Sequence, residues 1–361
     1  MKKILIDAHE DIAYAALTFN RDYSKSAAFI RQVEQFSQIP QWNGHAMLGY
    51  EDWKAANVGF VFSTIFVMHK KYQSGDWEKV GYKNLEEARK LTQKQIDFYH
   101  KLEDQHPDKF RIIKNQSQYM HQWEKLNDPS SSSNPIGLVL LLEGAEGLKH
   151  PKEIEEWYQW GVRMVGPAWA GGRYCGGMYE PGRLSNDGRL LLETMLDLNM
   201  GLDLAHMSEQ SAFQSLDIYD GALFCSHANV KTLLKGFGED RHLSDQLIRR
   251  IAERNGVMGL MPYNNFLSTD WTNTQPRDKV TLDHFVNHID HICQLTGSVN
   301  HVAIGTDFDG GLGYPDVPLE LNTIADLPKL SENLASRGYN KDDIESIFSL
   351  NWKRILDRIY S

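Results

Sequence analysis

The sequence predicts an α/β fold, and within that class a single (β/α)8 TIM barrel, on three observations. Apolar runs of strand length alternate with amphipathic helical stretches over most of the chain. These runs number about eight, and nearly every one is followed by a helix. Residues able to bind a metal or carry a proton stand at the C-terminal ends of the runs, the rim where such barrels place their chemistry. No G-x-G-x-x-G follows the first run, which disfavours the alternative of an open doubly wound sheet.

The first strand is Ile4-Leu5-Ile6, ending at once in Asp7-Ala8-His9-Glu10-Asp11. Alternation places Asp7, His9 and Asp11 on one side. Residues 12–56 mix aromatic and polar residues without clean periodicity, as a long loop with short helices does. This aromatic-rich segment, from Tyr14 to Trp53, is read as a lid over the site or as a homodimer contact within one domain of residues 1–361. Val58 to Val67 is almost wholly apolar, the pattern of a strand buried on both faces. Asn84 caps a charged amphipathic helix running to Leu102. Asn127 to Asn134, NDPSSSSN, reads as a surface loop. Strands follow at Gly137–Glu143, Val162–Trp169, Gly201–Ser208, Ala222–Asn229, Gly256–Asn264 and His301–Asp309. Helices near Glu153–Trp160, Asp187–Leu198, Glu209–Tyr219, Ser244 onward and Leu282–Leu295 separate them.

Composition removes several classes of function. Lys and Arg total 38 against 48 Asp and Glu, a net charge of −10, so no basic surface for nucleic acid is expected. No run of about 18 apolar residues exists to span a membrane. Only three apolar residues follow Met1-Lys2-Lys3 before Asp7, too few for a secretory core of roughly 7–15, and the expectation is an unprocessed cytoplasmic protein. Three scattered cysteines support neither a disulfide framework nor a thiolate metal site. A metal here must be held by histidines and carboxylates.

Those residues are in place at the strand ends: His9 and Asp11 on the first, Glu143 on the third, His206 on the fifth, His227 on the sixth and Asp307 on the last. Each alone has a plain alternative: a charged loop for His9 and Asp11, a loop charge at Glu143, a core histidine at His206, a helix cap at Asp307. Their joint placement on one rim favours a site. Two divalent ions need a bridging anion, which Glu143 can be. His9 and Asp11 would complete one shell, and His206 and His227 the other. Nitrogen and oxygen donors without sulfur suit zinc, with manganese, cobalt or iron as alternatives. A hydroxide between the ions would be the nucleophile, and Asp307 is placed to carry its proton to a leaving amine.

The ordered motifs Asp7-Ala8-His9-Glu10-Asp11, LLEGAEG, LDLAHMS, FCSHAN and TDFDG resemble the renal (membrane) dipeptidase family of binuclear zinc peptidases, within the metal-dependent amidohydrolase barrels. The likeness runs from Asp7 to about Arg354 and includes PGRLSNDGRLLL from Pro181 to Leu192. It implies two zinc ions, one held by His9, Asp11 and the bridging Glu143, the other by Glu143, His206 and His227. It also implies that Asp307 works beside the bridging water and that Arg241 binds the terminal carboxylate of a dipeptide, a fork-on-carboxylate contact suited to guanidinium. Trp169, Arg173 and Tyr263 are the further expected substrate contacts.

One position departs from the family. Its members carry a substrate-facing histidine at the end of the fourth strand, where this chain has Trp169 in VGPAWAGGRYCGG. An indole offers one N–H donor and no charge. Either a nearby group replaces the histidine, Arg173 being the first choice, or the substrate is another amide, an ester or a lactone, or Trp169 simply packs under its loop. A metal-binding protein without catalysis is a third reading, disfavoured by the intact Asp307. A Schiff-base lysine enzyme is weaker still, since no lysine ends any of these strands.

Overall fold

The computed structural model describes residues 3–128, 130, 134–234 and 240–361. Eight parallel strands follow one another around the sheet in chain order. They are β1 (Leu5–Glu10), β2 (Val58–Phe66), β3 (Ile136–Glu143), β4 (Val162–Gly166), β5 (Gly201–Asp203), β6 (Leu223–Cys225), β7 (Val257–Leu260) and β8 (Val302–Ile304). This is the (β/α)8 barrel that the alternating pattern predicts.

Alternation divides the barrel's apolar residues into two cores. Val139 and Leu141 of β3 point inward with Ile6, Phe62, Met164 and Phe224, while Leu138, Leu140 and Leu142 pack outward under the helices. The inward row of β3 therefore ends at Glu143, on the rim. The last helix, Asn351–Ile359, closes the other end: Trp352 is fully buried against Phe62 and Phe224, and its indole N–H donates to the Ile304 carbonyl at 2.8 Å.

The helices obey their local signals. Asn84 accepts from the Glu87 N–H ahead of the helix Leu85–Gln105, and Ser244 from the Leu247 N–H ahead of Asp245–Glu253. Residues 12–56 form four short helices, α1 (Ile12–Phe19), α2 (Ala27–Glu34), α3 (Ile39–Asn43) and α4 (Tyr50–Ala56). They are pinned to the rim by a buried polar knot around Asp309. Its carboxylate accepts from the Tyr23 hydroxyl and the Met47 N–H, each at 2.8 Å, and pairs with Arg21 at 3.2 Å. Arg21 also pairs with Glu34 at 2.8 Å.

Two differences from the sequence reading stand out. Strands β5 to β8 are shorter than their apolar runs, because residues such as Leu204 and Ala205 stay buried after leaving the ladder. Between β2 and β3 lie short strands at Met68–His69, Gly81–Tyr82 and Phe110–Ile112, the last pairing with the start of β3. Too few residues are involved to show periodicity. The expected surface loop of 127–134 falls partly on residues outside those described.

Between β1 and β8, among the described residues, the join is an isolated bridge from Glu10 to Phe308 with an Asp307 N–H to His9 carbonyl bond of 3.0 Å. Asp7 reinforces it, its carboxylate accepting from the Thr306 N–H at 2.8 Å and the Thr306 hydroxyl at 2.6 Å. The β1–β2 register is irregular between Asp7 and Glu10. That irregularity separates residues that simple alternation would align: Asp7 serves the join, while His9 turns into the site.

Candidate metal centre

The structure brings His9, Asp11, Glu143, His206, His227 and Asp307 together at the rim. Glu143 lies at the centre. One of its oxygens is 3.3 Å from His9 Nε2, and the other is 2.9 Å from His206 Nε2 and 3.7 Å from His227 Nε2. His206 Nε2 and His227 Nε2 are themselves 2.8 Å apart. His9, Glu143 and His227 form one group able to hold an ion, and His9, Asp11 and Asp307 another, with donor atoms within 4.8 Å of one another.

The hydrogen-bond network sets which imidazole nitrogens are bare. The Ser226 hydroxyl donates to Asp203 Oδ2 at 2.5 Å, which commits its one proton. His227 Nδ1, 2.7 Å from the Ser226 Oγ, must then be the donor in that contact, as must His9 Nδ1 at 3.3 Å from it. Both rings are left with an unprotonated Nε2 facing Glu143. His9 Nε2 has no hydrogen-bond partner although it is fully buried. Lone pairs set against a carboxylate in a buried site need a cation between them. The residues present therefore fit a metal: three imidazoles with two carboxylates, all oxygen and nitrogen donors.

Electrostatics point the same way. Burial, then the Arg241 charge, lowers the His206 pKa to about 4, so the ring is neutral and ready to bind a metal. Burial likewise lowers that of His227, with His9 and Arg241 adding to it. Burial, followed by the Glu143 charge, raises the Asp11 pKa to about 7. Burial, then the charges of Asp11 and Glu143, pushes Asp307 well above the usual carboxylate range. Carboxylates crowded in this way are relieved by positive charge.

Local backbone serves the cluster. His206, Asp307 and Asp309 have φ of 64°, 57° and 66°, a region that costs L-residues about 1–2 kcal/mol each. Gly310 makes room for the acids: a Cβ there would come within 2.2 Å of Asp11 Oδ2 and 2.3 Å of Asp307 Oδ1. The Thr64 hydroxyl donates to Asp11, fixing one carboxylate oxygen.

A cavity of about 310 Å³ opens over the cluster. Arg241 lines it, buried, with one guanidinium nitrogen on the His227 carbonyl at 2.7 Å and its charge over Phe266 at 5.2 Å. Trp169 also lines it, 6.1 Å from the His206 ring and edge-on to Phe66, Tyr72 and Tyr179. Tyr263 packs edge-on against Phe266 at 5.0 Å, and its hydroxyl accepts from Asn265 at 3.2 Å. Arg173 is not brought to the cluster. Its guanidinium is partly exposed and turned to Asp187 at 2.7 Å and to the Lys149 carbonyl. As the expected substitute for the missing histidine it is corrected by this geometry, because a paired surface guanidinium is held away from the reacting centre. Asp203 and Ser226, which orient two of the imidazoles, were not singled out from the sequence. The available signal was an acid inside the apolar run GLDLAH and a hydroxyl beside His227.

A parallel barrel that gathers this donor set at its carboxyl rim has the build of a metal-dependent hydrolase. The profile of the membrane dipeptidase family (Peptidase family M19) matches residues 1–360, and the chain belongs to that family of hydrolases acting on dipeptides. An uncharacterized protein from the pqqA 5′ region of Klebsiella pneumoniae is 30% identical over 236 residues, 62% of this chain and 83% of that one. An uncharacterized dipeptidase of Schizosaccharomyces pombe is 27% identical, covering 84% of this chain and 70% of its own. Among solved structures, a metallopeptidase from Rhodobacter sphaeroides liganded with a phosphinate mimic of the dipeptide L-Ala-D-Ala superposes with a TM-score of 0.78 at 19% identity, covering 99% of this chain and 100% of that one. A metallopeptidase described as dipeptidase AC gives 0.77 at 20% identity, with 100% and 99% covered. At such identities these likenesses establish the barrel. No helix among the described residues is long and apolar enough to cross a membrane.

Proposed function

We propose that the protein is a dinuclear zinc dipeptidase. The observation that carries this reading is the convergence of three imidazoles on Glu143, with Asp11 grouped beside His9 and His9 Nε2 buried without a hydrogen-bond partner. In this reading His9, Asp11 and Glu143 hold one ion, and Glu143, His206 and His227 the other. What such ions supply when bound is Lewis acidity, which polarises a carbonyl and acidifies an attacking water.

The chain's own groups do the rest. Arg241 takes the dipeptide's terminal carboxylate and so sets the scissile amide over the cluster. Asp307 Oδ1 lies 3.9 Å from His9 Nε2, close enough to meet a water held at the cluster. It accepts that water's proton as the C–O bond forms and delivers it to the amide nitrogen as the C–N bond breaks. The Asp203–Ser226 pair keeps the imidazoles in the metal-binding tautomer. Trp169 supplies a hydrophobic wall in place of a polar group, and the helices of residues 12–56 contribute Tyr14 and Trp42 to the same cavity, as a fixed lid would.

The test is metal analysis with a dipeptide screen on purified protein. Two equivalents of zinc with turnover of L-L or L-D dipeptides is the expected outcome. Trp169 favours one second reading, hydrolysis of another amide, an ester or a lactone at the same centre. Turnover of acylated amino acids or lactones, with dipeptides untouched, would select it.

A further inference from the structure

Glu78 is an acid that the mechanism above does not use. It lies between the short strands Met68–His69 and Gly81–Tyr82, lines the cavity, and is 7% exposed. Its carboxylate is held in place from two sides: the Ser74 N–H donates to Oε2 at 2.7 Å and the Tyr14 hydroxyl to Oε1 at 3.3 Å. Both are neutral donors. Among the described residues no Lys, Arg or His forms an ion pair with it, and burial raises its proton affinity. Buried carboxylates are ordinarily paired with a cation, and one left unpaired on a cavity wall is placed for a cation that arrives with a ligand.

The surroundings fit such a cation. Tyr14, Trp42, Phe66, Tyr72 and Trp77 line the same cavity. Trp42 and Trp77 stack at 5.3 Å with an interplanar angle of 3°. Aromatic faces around a carboxylate attract a substituted ammonium through the ring quadrupole as well as the charge. Polarity along the cavity agrees. Its lining acids are Asp11, Glu143 and Asp307 of the candidate cluster and Glu78, which belongs to neither metal group, while Arg241 lines it as a cation. A zwitterionic substrate with its carboxylate on Arg241 has an ammonium left to place.

We propose that Glu78, walled by Tyr14, Trp42 and Trp77, binds the protonated primary amine of the substrate and sets a preference for substrates that carry one. This rests on the dipeptidase reading and adds a specificity site to it. The amine has two sources, the dipeptide's α-amino group or a lysine-like side chain of its first residue.

The experiment compares two matched pairs on the zinc-loaded protein and its Glu78→Gln variant. Leu-Gly against isocaproyl-Gly differs only in the α-amine, and Lys-Gly against norleucyl-Gly only in the side-chain ammonium. Glutamine keeps its oxygen on the Ser74 N–H and turns its NH2 to the Tyr14 hydroxyl, which can accept, so the wall is retained. The expected result is that the wild type prefers the amine-bearing member of one pair, and that the variant reduces this preference about ten- to a hundredfold, chiefly through KM. The pair that responds names the source. A second variant, Trp77→Leu, should weaken the same preference several-fold while the carboxylate remains. Unchanged discrimination in both pairs for both variants overturns the proposal and leaves the dipeptidase reading standing. A zinc-loaded wild type that cleaves neither Leu-Gly nor Lys-Gly overturns both.

Discussion

Replacing Asp203 with asparagine tests whether the imidazoles are held in a metal-binding tautomer. The native carboxylate accepts the Ser226 N–H at 2.8 Å and the Ala205 N–H at 3.0 Å on Oδ1, and the Ser226 hydroxyl on Oδ2. An asparagine can keep its oxygen on the two N–H groups, which turns its NH2 towards the Ser226 oxygen. The hydroxyl proton must then go to another acceptor, and His227 Nδ1 at 2.7 Å is the near one. His227 would thereby carry its proton on Nε2, the nitrogen that faces Glu143. Restoring the productive tautomer costs about one hydrogen bond to a charged group, roughly 1.5–3 kcal/mol. That corresponds to about a ten- to hundredfold loss of affinity for the ion at His206 and His227, in the range known for partners of metal-bound histidines. Chelator competition against the metal-free protein measures it, with urea unfolding of the metal-free forms as a control. The other ion should be weakened less, since His9 Nδ1 is 3.3 Å from Ser226. Unchanged zinc affinity at both sites in Asp203→Asn would refute the tautomer argument. So would a loss fully accounted for by lower stability of the metal-free fold.

Three other perturbations have defined outcomes. Asp307→Asn should lower kcat about 10²–10⁴-fold while zinc content stays near that of the wild type, as read by steady-state kinetics beside metal analysis. Arg21→Met should destabilise the fold by about 3–5 kcal/mol in urea denaturation, because Asp309 and Glu34 lose their shared buried cation. Glu146 provides a pH test, since burial raises its pKa to about 7 from the ordinary glutamate value of 4.5. The folded state thus holds this proton more tightly than the unfolded chain, so its contribution is most favourable below about 4.5 and is lost as pH rises to about 7. Glu146→Gln should remove that decline, a difference on the order of 3 kcal/mol between the two proteins' stability profiles over this window. Parallel profiles would show that Glu146 does not hold its proton.

The barrel was legible because its strands are apolar on both faces and five of the eight run into a histidine or an acid. The run ending at Glu143 shows this plainly, with Val139 and Leu141 inside the barrel and Leu140 and Leu142 outside it. The candidate donors that the fold brings together were legible because an imidazole or carboxylate closing an apolar strand is conspicuous. What escaped the sequence is relational. Ser226 matters through contacts with Asp203 and with two histidines, one of them 217 residues away. Arg173 sits in the right loop for a substrate contact, yet Asp187 draws it outward. Glu78 stands in a polar stretch, SGDWEKV, and only the fold sets it beside the Tyr14 hydroxyl in the lining of the cavity.

The join between β1 and β8 brings together segments 299 residues apart, through Asp7 and Thr306. Contacts of such long sequence separation are formed against a large loss of chain freedom. The proposed ligands His9 and Asp11 stand on one side of this join and Asp307 on the other. The groups that this reading assigns to the first ion and to proton transfer therefore meet only when the ring is closed, so that completing the barrel and assembling the centre become a single event.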